Sequence, residues 1–292
     1  MDRSLLRHDT KSTHRSFALV LAGGGVRGMA HAGVLHALEY YGWRPSAIVG
    51  VSMGAIVGAT YALNPHWYEA LVNMDTAFFP ESTNAGNGDL RERVRALLAS
   101  ERAFREMILG WGAGSRSVKQ GQALLSGLTL GKNLESGHIP VAAVATDLNS
   151  GERVVFEHGS AAEAIYASAA LPAILPPLVR PGDGHMLVDG SFVDNAPIDI
   201  ARDYDVDFVI AVDSSQINVK NGVRNGLQAM LRAFEVGHRA HTKLRFKQAD
   251  YVLAPVFPIS MDILSFQHKR LCIASGVRAV RCQREQLRML LE

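Results

Sequence analysis

Short apolar runs that stop at a glycine or a turn alternate along this chain with segments of helical periodicity. Phe17–Ala22 is the first such run, and a helix is predicted after it over Met29–Tyr41. Ala47–Val51 is the second run, and a helix is predicted after it over Ala55–Leu63. A short continuous apolar run is typical of a strand that is buried on both faces of a parallel sheet. The order strand, helix, strand, helix therefore predicts a single three-layer α/β domain, with a mostly parallel central sheet flanked by helices.

The stretch from 64 to 133 departs from this alternation. It contains helical patterns over Trp67–Ala77, Leu90–Ile108 and Gly121–Leu128, interrupted by the polar loop Glu81–Asp89, and no convincing strand. We therefore predict a helical insertion over the sheet, in which the polar loop is the most mobile part.

Strand and helix signals return after the insertion. A hairpin is predicted from Val141–Thr146 and Arg153–Phe156. The other predicted elements are a helix of small residues over Ser160–Ala170, strands at Met186–Val188, Phe208–Val212 and, at an edge, Tyr251–Ala254, and long helices over Val223–Lys247 and Gln267–Leu291. No internal repeat or linker divides the chain, so one domain is expected.

Composition and charge narrow the class of protein. The chain has 292 residues, of which 48% are hydrophobic and 20% charged, as in folded globular proteins. The formal net charge is only +2, so nucleic acid is not expected as a partner. The chain has no apolar run long enough for a transmembrane helix, and the polar leader at 1–16 lacks the apolar core of a secretory signal. We therefore expect a cytoplasmic location.

Cations outnumber acids in the C-terminal part of the chain, from Arg224 to Arg288. Two interpretations stay open for this excess. The cations can form solvated faces of the predicted helices, or they can form a surface that docks transiently on a membrane.

A glycine-rich loop follows the first predicted strand and opens the first helix. Gly23–Gly28 reads GGGVRG and matches the pattern GxGxxG. The N–H groups of such a loop can hold a dinucleotide pyrophosphate or the oxyanion of an acyl-transfer intermediate. Dinucleotide binding also requires an acid about twenty residues later, near the end of the second strand. Ser46–Val51 contains no acid, so the sequence disfavours a dinucleotide-binding protein.

Gly50–Gly54 reads GVSMG, the pattern GxSxG, between the second strand and the second helix. Small flanking residues permit a strained turn that lifts a serine hydroxyl clear of the backbone, and the following helix favours developing negative charge. Ser52 is therefore a candidate nucleophile. The alternative is an ordinary turn in which Ser52 lies near the helix cap.

Asp189 is the third candidate for chemistry. It follows the apolar Met186–Val188 and precedes Gly190 and Ser191. An Asp at the end of a strand points into the crevice that the first two motifs line. The alternative is a β-hairpin, for which Asp-Gly is a common signal. The eleven histidines are scattered and form no metal-binding motif, so no metal or other cofactor is expected.

These three motifs, in this order, resemble the patatin-like phospholipase family in its bacterial, stand-alone form. Ala167–Pro172 (ASAALP) and Asp194–Pro197 (DNAP) resemble the family as well, and the resemblance runs from about Phe17 to Val212. Together with the patterns described above, it leads us to expect a polar leader at 1–16, a patatin-like acyl hydrolase domain at 17–255 with the helical insertion at about 64–133, and a basic C-terminal helix at 256–292 packed on that domain.

The resemblance also implies a role for each motif. Members of the family are lipid acyl hydrolases with a Ser–Asp dyad, which implies Ser52 as nucleophile, Asp189 as general base and an acyl-serine intermediate. The backbone N–H groups of Gly24 and Gly25, assisted by that of Met53, would form the oxyanion hole. The residues that would support these loops are Gly23, Arg27, Gly28, Gly50, Gly54 and Gly190.

The expected substrate is a fatty acyl ester of a lipid, because the insertion and the apolar helix Ala161–Leu171 could line a hydrophobic cleft. The sequence does not choose among phospholipid, lysophospholipid and neutral glyceride, or between hydrolysis and transacylation, and it does not predict the oligomeric state.

Two positions depart from the family pattern. Ala22 stands where some members have Asp, and Ser191 stands where Gly or Ala is usual.

Two other functions stay open at this point. The first is an α/β-hydrolase-type esterase, in which His238, His241 or His268 completes a Ser-His-Asp triad. The second is a non-catalytic lipid-binding or regulatory protein on the same fold.

Overall fold

The computed structural model describes residues 15–76, 118–172, 174–180, 182, 184–215, 226–261 and 263–292. Most of the predicted polar leader lies outside the described residues. So do the loop predicted at Glu81–Asp89 and the helix predicted over Leu90–Ile108.

Eight strands of the described residues form one mixed sheet. They are β1 (Phe17–Leu21), β2 (Ala47–Val51), β3 (Val141–Asp147), β4 (Arg153–Phe156), β5 (Leu178–Val179), β6 (Met186–Asp189), β7 (Phe208–Val212) and β8 (Tyr251–Leu253). The order is β5-β6-β3-β2-β1-β7-β8, with β4 also paired to β3. Strands β1, β2, β3, β7 and β8 are parallel, whereas β4 and β6 run antiparallel to β3. The predicted mostly parallel sheet is confirmed.

Helices cover both faces of this sheet. They are α1 (Ala30–Tyr40), α2 (Met53–Leu63), α3 (Trp67–Val72), α4 (Val118–Thr129), α5 (Ala161–Ala169), α6 (Ile198–Arg202), α7 (Gly226–Phe246), α8 (Lys269–Cys282) and α9 (Arg284–Leu291). Successive side chains of a strand point to opposite faces. Leu19 and Leu21 of β1 therefore enter a core with α1, α2, α5, α8 and α9, whereas Ala18 and Val20 enter a second core with α6 and the end of α7. The three predicted layers are confirmed.

The pairing of β3 explains how two distant segments meet. Ala143 and Val144 pair with β2 on one edge and with β4 on the other. Ala145 and Thr146 pair with β4 and with β6, so β6 occupies the same edge of β3 as β2 does. Strand β2 ends beside Val144, and β6, which runs the opposite way, ends beside Ala145. The residue after β2 and the last residue of β6 are therefore neighbours.

Two differences from the sequence predictions lie near the sheet. The helix predicted over Met29–Tyr41 is preceded by a 3-10 turn, because the glycine loop itself winds over Gly25–Met29, and α1 begins at Ala30. Strand β5 is not predicted by the sequence, because its two residues are too few to show a periodic pattern.

The C-terminal helix predicted over Gln267–Leu291 is divided. A 3-10 turn precedes α8, and α8 and α9 meet at Gln283, whose φ of −109° and ψ of 17° are not helical. The break turns Leu287 and Leu291 into the core, where both are fully buried. Apolar burial thus overrides a continuous helical pattern here. No helix in the described part of the chain is long and apolar enough to cross a lipid bilayer.

Candidate active site

Ser52 occupies the tight turn between β2 and α2. Its φ of 55° and ψ of −122° are rare for a residue with a side chain, and such a conformation costs roughly 1–3 kcal/mol. The Ser52 hydroxyl does not cap α2. It donates a hydrogen bond of 2.6 Å to Oδ2 of Asp189 instead. The flanking glycines make room for the turn, since a Cβ at Gly54 would lie 2.0 Å from the Leu21 carbonyl oxygen and one at Gly50 would lie 2.5 Å from the backbone of α2.

Asp189, the last residue of β6, is only 3% exposed. Its Oδ2 accepts the Ser52 hydroxyl, and its Oδ1 accepts the N–H of Ser191 at 2.9 Å. Burial raises the pKa of Asp189 above its usual value, and the hydrogen bonds from Ser52 and Ser191 oppose this shift in part. Gly190 lets β6 approach β3 closely, since a Cβ there would lie 2.0 Å from the Val144 carbonyl oxygen.

The glycine loop packs tightly between three other segments. Gly25 has a φ of +57°, and a Cβ there would lie 2.2 Å from the Ile263 carbonyl oxygen. The N–H of Gly23 donates to Oδ1 of Asn195 at 2.8 Å. A Cβ at Gly28 would lie 2.6 Å from Cβ of Met53, the first residue of α2. The loop thus lies directly against the serine turn.

Three backbone N–H groups near Ser52 have no protein acceptor within the described residues: those of Gly24, Gly25 and Met53. Gly24, Gly25 and Met53 also line one cavity together with Ser52. Nε of Arg27 donates to the Gly24 carbonyl at 3.4 Å, so this side chain contacts the loop. Free N–H groups beside a serine hydroxyl are the donors that an oxyanion requires.

The cavity above Ser52 has a volume of about 410 Å³. Asp189 is also one of the residues that line it, and the wall is mainly apolar. The apolar residues of the wall include Ile56, Leu171, Leu175, Phe192, Phe246 and Leu264. Of the predicted apolar helix Ala161–Leu171, Ala169 and Leu171 line the cavity. This size and lining suit a small organic group that is bound through apolar contacts.

The model of the family described as patatin-like phospholipase matches residues 19–202, more than half of the chain. The chain belongs to this family. Mouse patatin-like phospholipase domain-containing protein 6 is 33% identical over 204 residues, which cover 69% of this chain and 14% of that protein. A Mycobacterium bovis protein of the NTE family, described as uncharacterized, is 32% identical over 201 residues, which cover 67% of this chain and 48% of the relative.

Among solved structures, the crystal structure of VipD from Legionella pneumophila superposes with a TM-score of 0.44 at 13% sequence identity. The superposition covers 90% of this chain and 67% of the VipD chain. The chain spans about one seventh of the length of the mouse relative and about half of the length of the mycobacterial one.

Three further side chains hold the patatin-like site together, and the sequence assigned none of them a role. Ser168, which is fully buried in α5, accepts the Ser52 N–H at 2.9 Å and donates to the Val144 carbonyl at 2.6 Å. Asn195 accepts the Gly23 N–H, and the Ser214 hydroxyl donates to the Gly23 carbonyl at 2.9 Å. Ser168 and Asn195 lie in the two segments that carried the family resemblance, so the family pattern was a signal for them. Ser214 follows β7 without a motif.

The three histidines of the alternative triad lie in different places. His238 lines the cavity and is hydrogen-bonded to the backbone of Ser191. Burial and the nearby His241 lower the pKa of His238. His241 is exposed, and neither it nor His268 lines the cavity. In the described part of the chain, no three His, Cys, Asp or Glu side chains are grouped so that they could hold a metal ion.

An ion-pair network ties α7 to the segment that supports the glycine loop. Asp194, the neighbour of Asn195, is buried and binds Arg153 of β4 at 2.9 Å and Arg245 of α7 at 2.7 Å. Asp199 binds both arginines as well, at 2.7 Å to Arg153. The positive charges of the two arginines and the negative charges of the two carboxylates neutralise one another. The network thereby fixes the position of α7 relative to the site.

Proposed function

We propose that this chain is a serine acyl hydrolase that cleaves fatty acyl esters of lipids. The observation that carries the proposal is the 2.6 Å hydrogen bond from the Ser52 hydroxyl to Asp189, two residues that line a largely apolar cavity. Membership of the patatin-like phospholipase family supports the reaction class. Ser52 is the proposed nucleophile and Asp189 the proposed general base.

The proposed reaction has two stages. The Ser52 oxygen attacks the ester carbonyl while its proton passes to Asp189, and the N–H groups of Gly24, Gly25 and Met53 hold the oxyanion. Collapse of this intermediate breaks the ester bond, and Asp189 returns the proton to the departing alcohol. Asp189 then removes a proton from water, the hydroxide attacks the acyl-serine, and the fatty acid leaves as Ser52 is reprotonated.

A carboxylate is ordinarily too weak a base for this task. Burial raises the pKa of Asp189, which brings it closer to the range that general-base catalysis requires. The Ser191 N–H holds the other carboxylate oxygen, so the oxygen that faces Ser52 keeps a defined direction. Both features favour Asp189 without help from a histidine.

The test is labelling with a fluorophosphonate, which reacts only with an activated serine. We expect labelling of the wild-type chain and of His238→Ala, and loss of labelling in Ser52→Ala and Asp189→Asn. His241→Ala and His268→Ala are matched controls outside the cavity. If His238→Ala is the only histidine variant that loses labelling, the catalytic group is a Ser-His-Asp triad and not a Ser–Asp dyad. If the folded wild-type chain is not labelled, the proposed hydrolase activity is contradicted, and a non-catalytic lipid-binding protein is favoured.

We propose further that the substrate reaches the cavity from a membrane surface. The segment after β8 carries exposed apolar side chains, namely Val256, which is 80% exposed, Ile259 and Ile263, and Ile263 also lines the cavity. Exposed apolar side chains are typical of lipid-binding surfaces, and Ile263 connects this segment to the cavity. Flotation with phosphatidylglycerol vesicles tests this, and Val256→Ser together with Ile259→Ser should reduce binding. Vesicles that do not bind even at low salt would contradict it.

A further inference from the structure

Arg239 and Lys243 of α7 line the same cavity as Ser52. They are four residues apart, so their side chains lie on one face of the helix. In the described part of the chain, neither has an ion-pair or hydrogen-bond partner. Arg245 on the same helix is different, because Asp194 and Asp199 neutralise it.

The lining of the cavity has an excess of positive charge. The basic residues of the lining are Arg27, Arg239 and Lys243, in addition to His238, and the carboxylates are Asp189 and Asp213. Asp189 is engaged with Ser52, and Oδ1 of Asp213 accepts the N–H of Ser215 at 2.8 Å. Arg239 is half-buried, whereas Lys243 is exposed. A partly enclosed cation without a partner, such as Arg239, attracts an anion more strongly than one in open solvent does.

The position of these two cations is fixed by the rest of the fold. Arg245 lies in the last turn of α7, two residues beyond Lys243, and is held by the carboxylate network beside Asn195. Phe246 at the end of α7 is buried in the core. The end of α7 is therefore anchored. Lys243 lies in the same last turn as Arg245, Arg239 lies one turn earlier, and both line the cavity.

We propose that Arg239 and Lys243 bind the anionic headgroup of the ester substrate, so that the site prefers acyl esters with a net negative phosphate headgroup to zwitterionic ones. This inference rests on the proposed hydrolase and adds its substrate class. The apolar wall holds the acyl chain near Ser52, and the two cations select the other end of the molecule. A hydrogen bond to a charged group strengthens the binding of a ligand that makes it, relative to one that does not, by roughly tenfold or more.

The first test compares two water-soluble esters that differ only in the headgroup, dihexanoyl phosphatidylglycerol and dihexanoyl phosphatidylcholine, both below their micelle concentrations. Monomeric substrates separate recognition in the cavity from attraction to a charged membrane. We expect kcat/KM to favour phosphatidylglycerol by about tenfold in the wild type. Arg239→Gln/Lys243→Gln should bring the ratio close to one. Lys247→Gln, an exposed cation of the same region outside the cavity, is the matched control and should keep the wild-type ratio.

The second test does not require catalysis. Calorimetry measures the binding of dodecyl phosphate and of dodecylphosphocholine to Ser52→Ala, with and without the two glutamine substitutions. If dodecyl phosphate binds more tightly than dodecylphosphocholine and the two glutamine substitutions abolish this difference, the headgroup site is supported. This result would hold even if the wild-type chain hydrolyses no ester and the proposed function fails. Inorganic phosphate that binds as tightly as dodecyl phosphate would indicate a site for the free ion and overturn the inference. An unchanged headgroup ratio in an active double variant would overturn it as well.

Discussion

Ser168→Ala removes the side chain that links the serine turn to the sheet. The Ser168 hydroxyl accepts the Ser52 N–H and donates to the Val144 carbonyl, and Ser168 is fully buried. Losing the hydrogen bond to Val144 costs about 0.5–1.5 kcal/mol, and leaving the Ser52 N–H without an acceptor costs about 1–3 kcal/mol. Water from the cavity can reach the partly exposed Ser52, which favours the lower values. We expect the free energy of unfolding to fall by about 1.5–3 kcal/mol.

Ser168→Ala should also slow the chemistry. The turn at Ser52 stores roughly 1–3 kcal/mol of backbone strain, and the N–H bond to Ser168 helps to hold it. Without this bond, the turn can relax and move the hydroxyl away from Asp189. A misalignment worth about 1.4–2.8 kcal/mol slows the reaction by about tenfold to a hundredfold. Ser168 is thus a positioning residue.

The assay pairs urea unfolding with the second-order rate of fluorophosphonate labelling, normalised to the folded fraction. Ser160→Ala is the matched control, because Ser160 caps the same helix by accepting the Glu163 N–H at 3.3 Å. It should cost about 1 kcal/mol of stability and leave the labelling rate unchanged. A Ser168→Ala variant that labels at the wild-type rate would refute the reasoning.

Three further predictions follow from other contacts. Burial lowers the pKa of His31 from 6.5 to about 4, so this residue contributes stability above pH 6.5 that is lost as the pH falls towards 4. Urea unfolding across that range should show that the free energy of unfolding falls by about 3 kcal/mol, and His31→Gln should abolish this loss. Gly25→Ala should lower both the Tm and the labelling rate, because the new Cβ would clash with the Ile263 carbonyl and the positive φ of this position strains a residue with a side chain. A variant with the wild-type rate and Tm would contradict this. Burial raises the pKa of Cys272 to about 12 and Cys282 is exposed, so Ellman's reagent should titrate one thiol in the native chain and two in urea.

Much of the fold could be predicted from the sequence, because its signals are local. Phe17–Leu21, Ala47–Val51 and Phe208–Val212 are short apolar runs, and a run that is buried on both faces must lie inside a sheet. The strained turn at Ser52 was also predictable, since Gly50 and Gly54 are the small neighbours that it requires.

The direction of the strand that carries Asp189 could not be predicted. The sequence placed Asp189 at the end of a strand, and the crevice of parallel strands was the reason for placing it near Ser52. Strand β6 is in fact antiparallel to β3, and Asp189 reaches Ser52 because β6 and β2 share one edge of β3 end to end. Such a pairing depends on the register between segments 137 residues apart along the chain. No local periodicity encodes that register.

The sequence by itself thus determined which residues are candidates for chemistry and where most of the described strands and helices lie. Tertiary structure alone decided what each of these residues faces. The family pattern drew attention to the segments of Ser168 and Asn195 but not to what their side chains contact, and Arg239 and Lys243 look like ordinary helix residues in the sequence. Their surroundings come from tertiary packing. Ser168 on α5 contacts β3, and Asn195 before α6 contacts the glycine loop. Arg239 and Lys243 on α7 line the cavity. Hydrophobic burial is not directional, so it leaves the final contacts of polar groups to the packing of the whole chain.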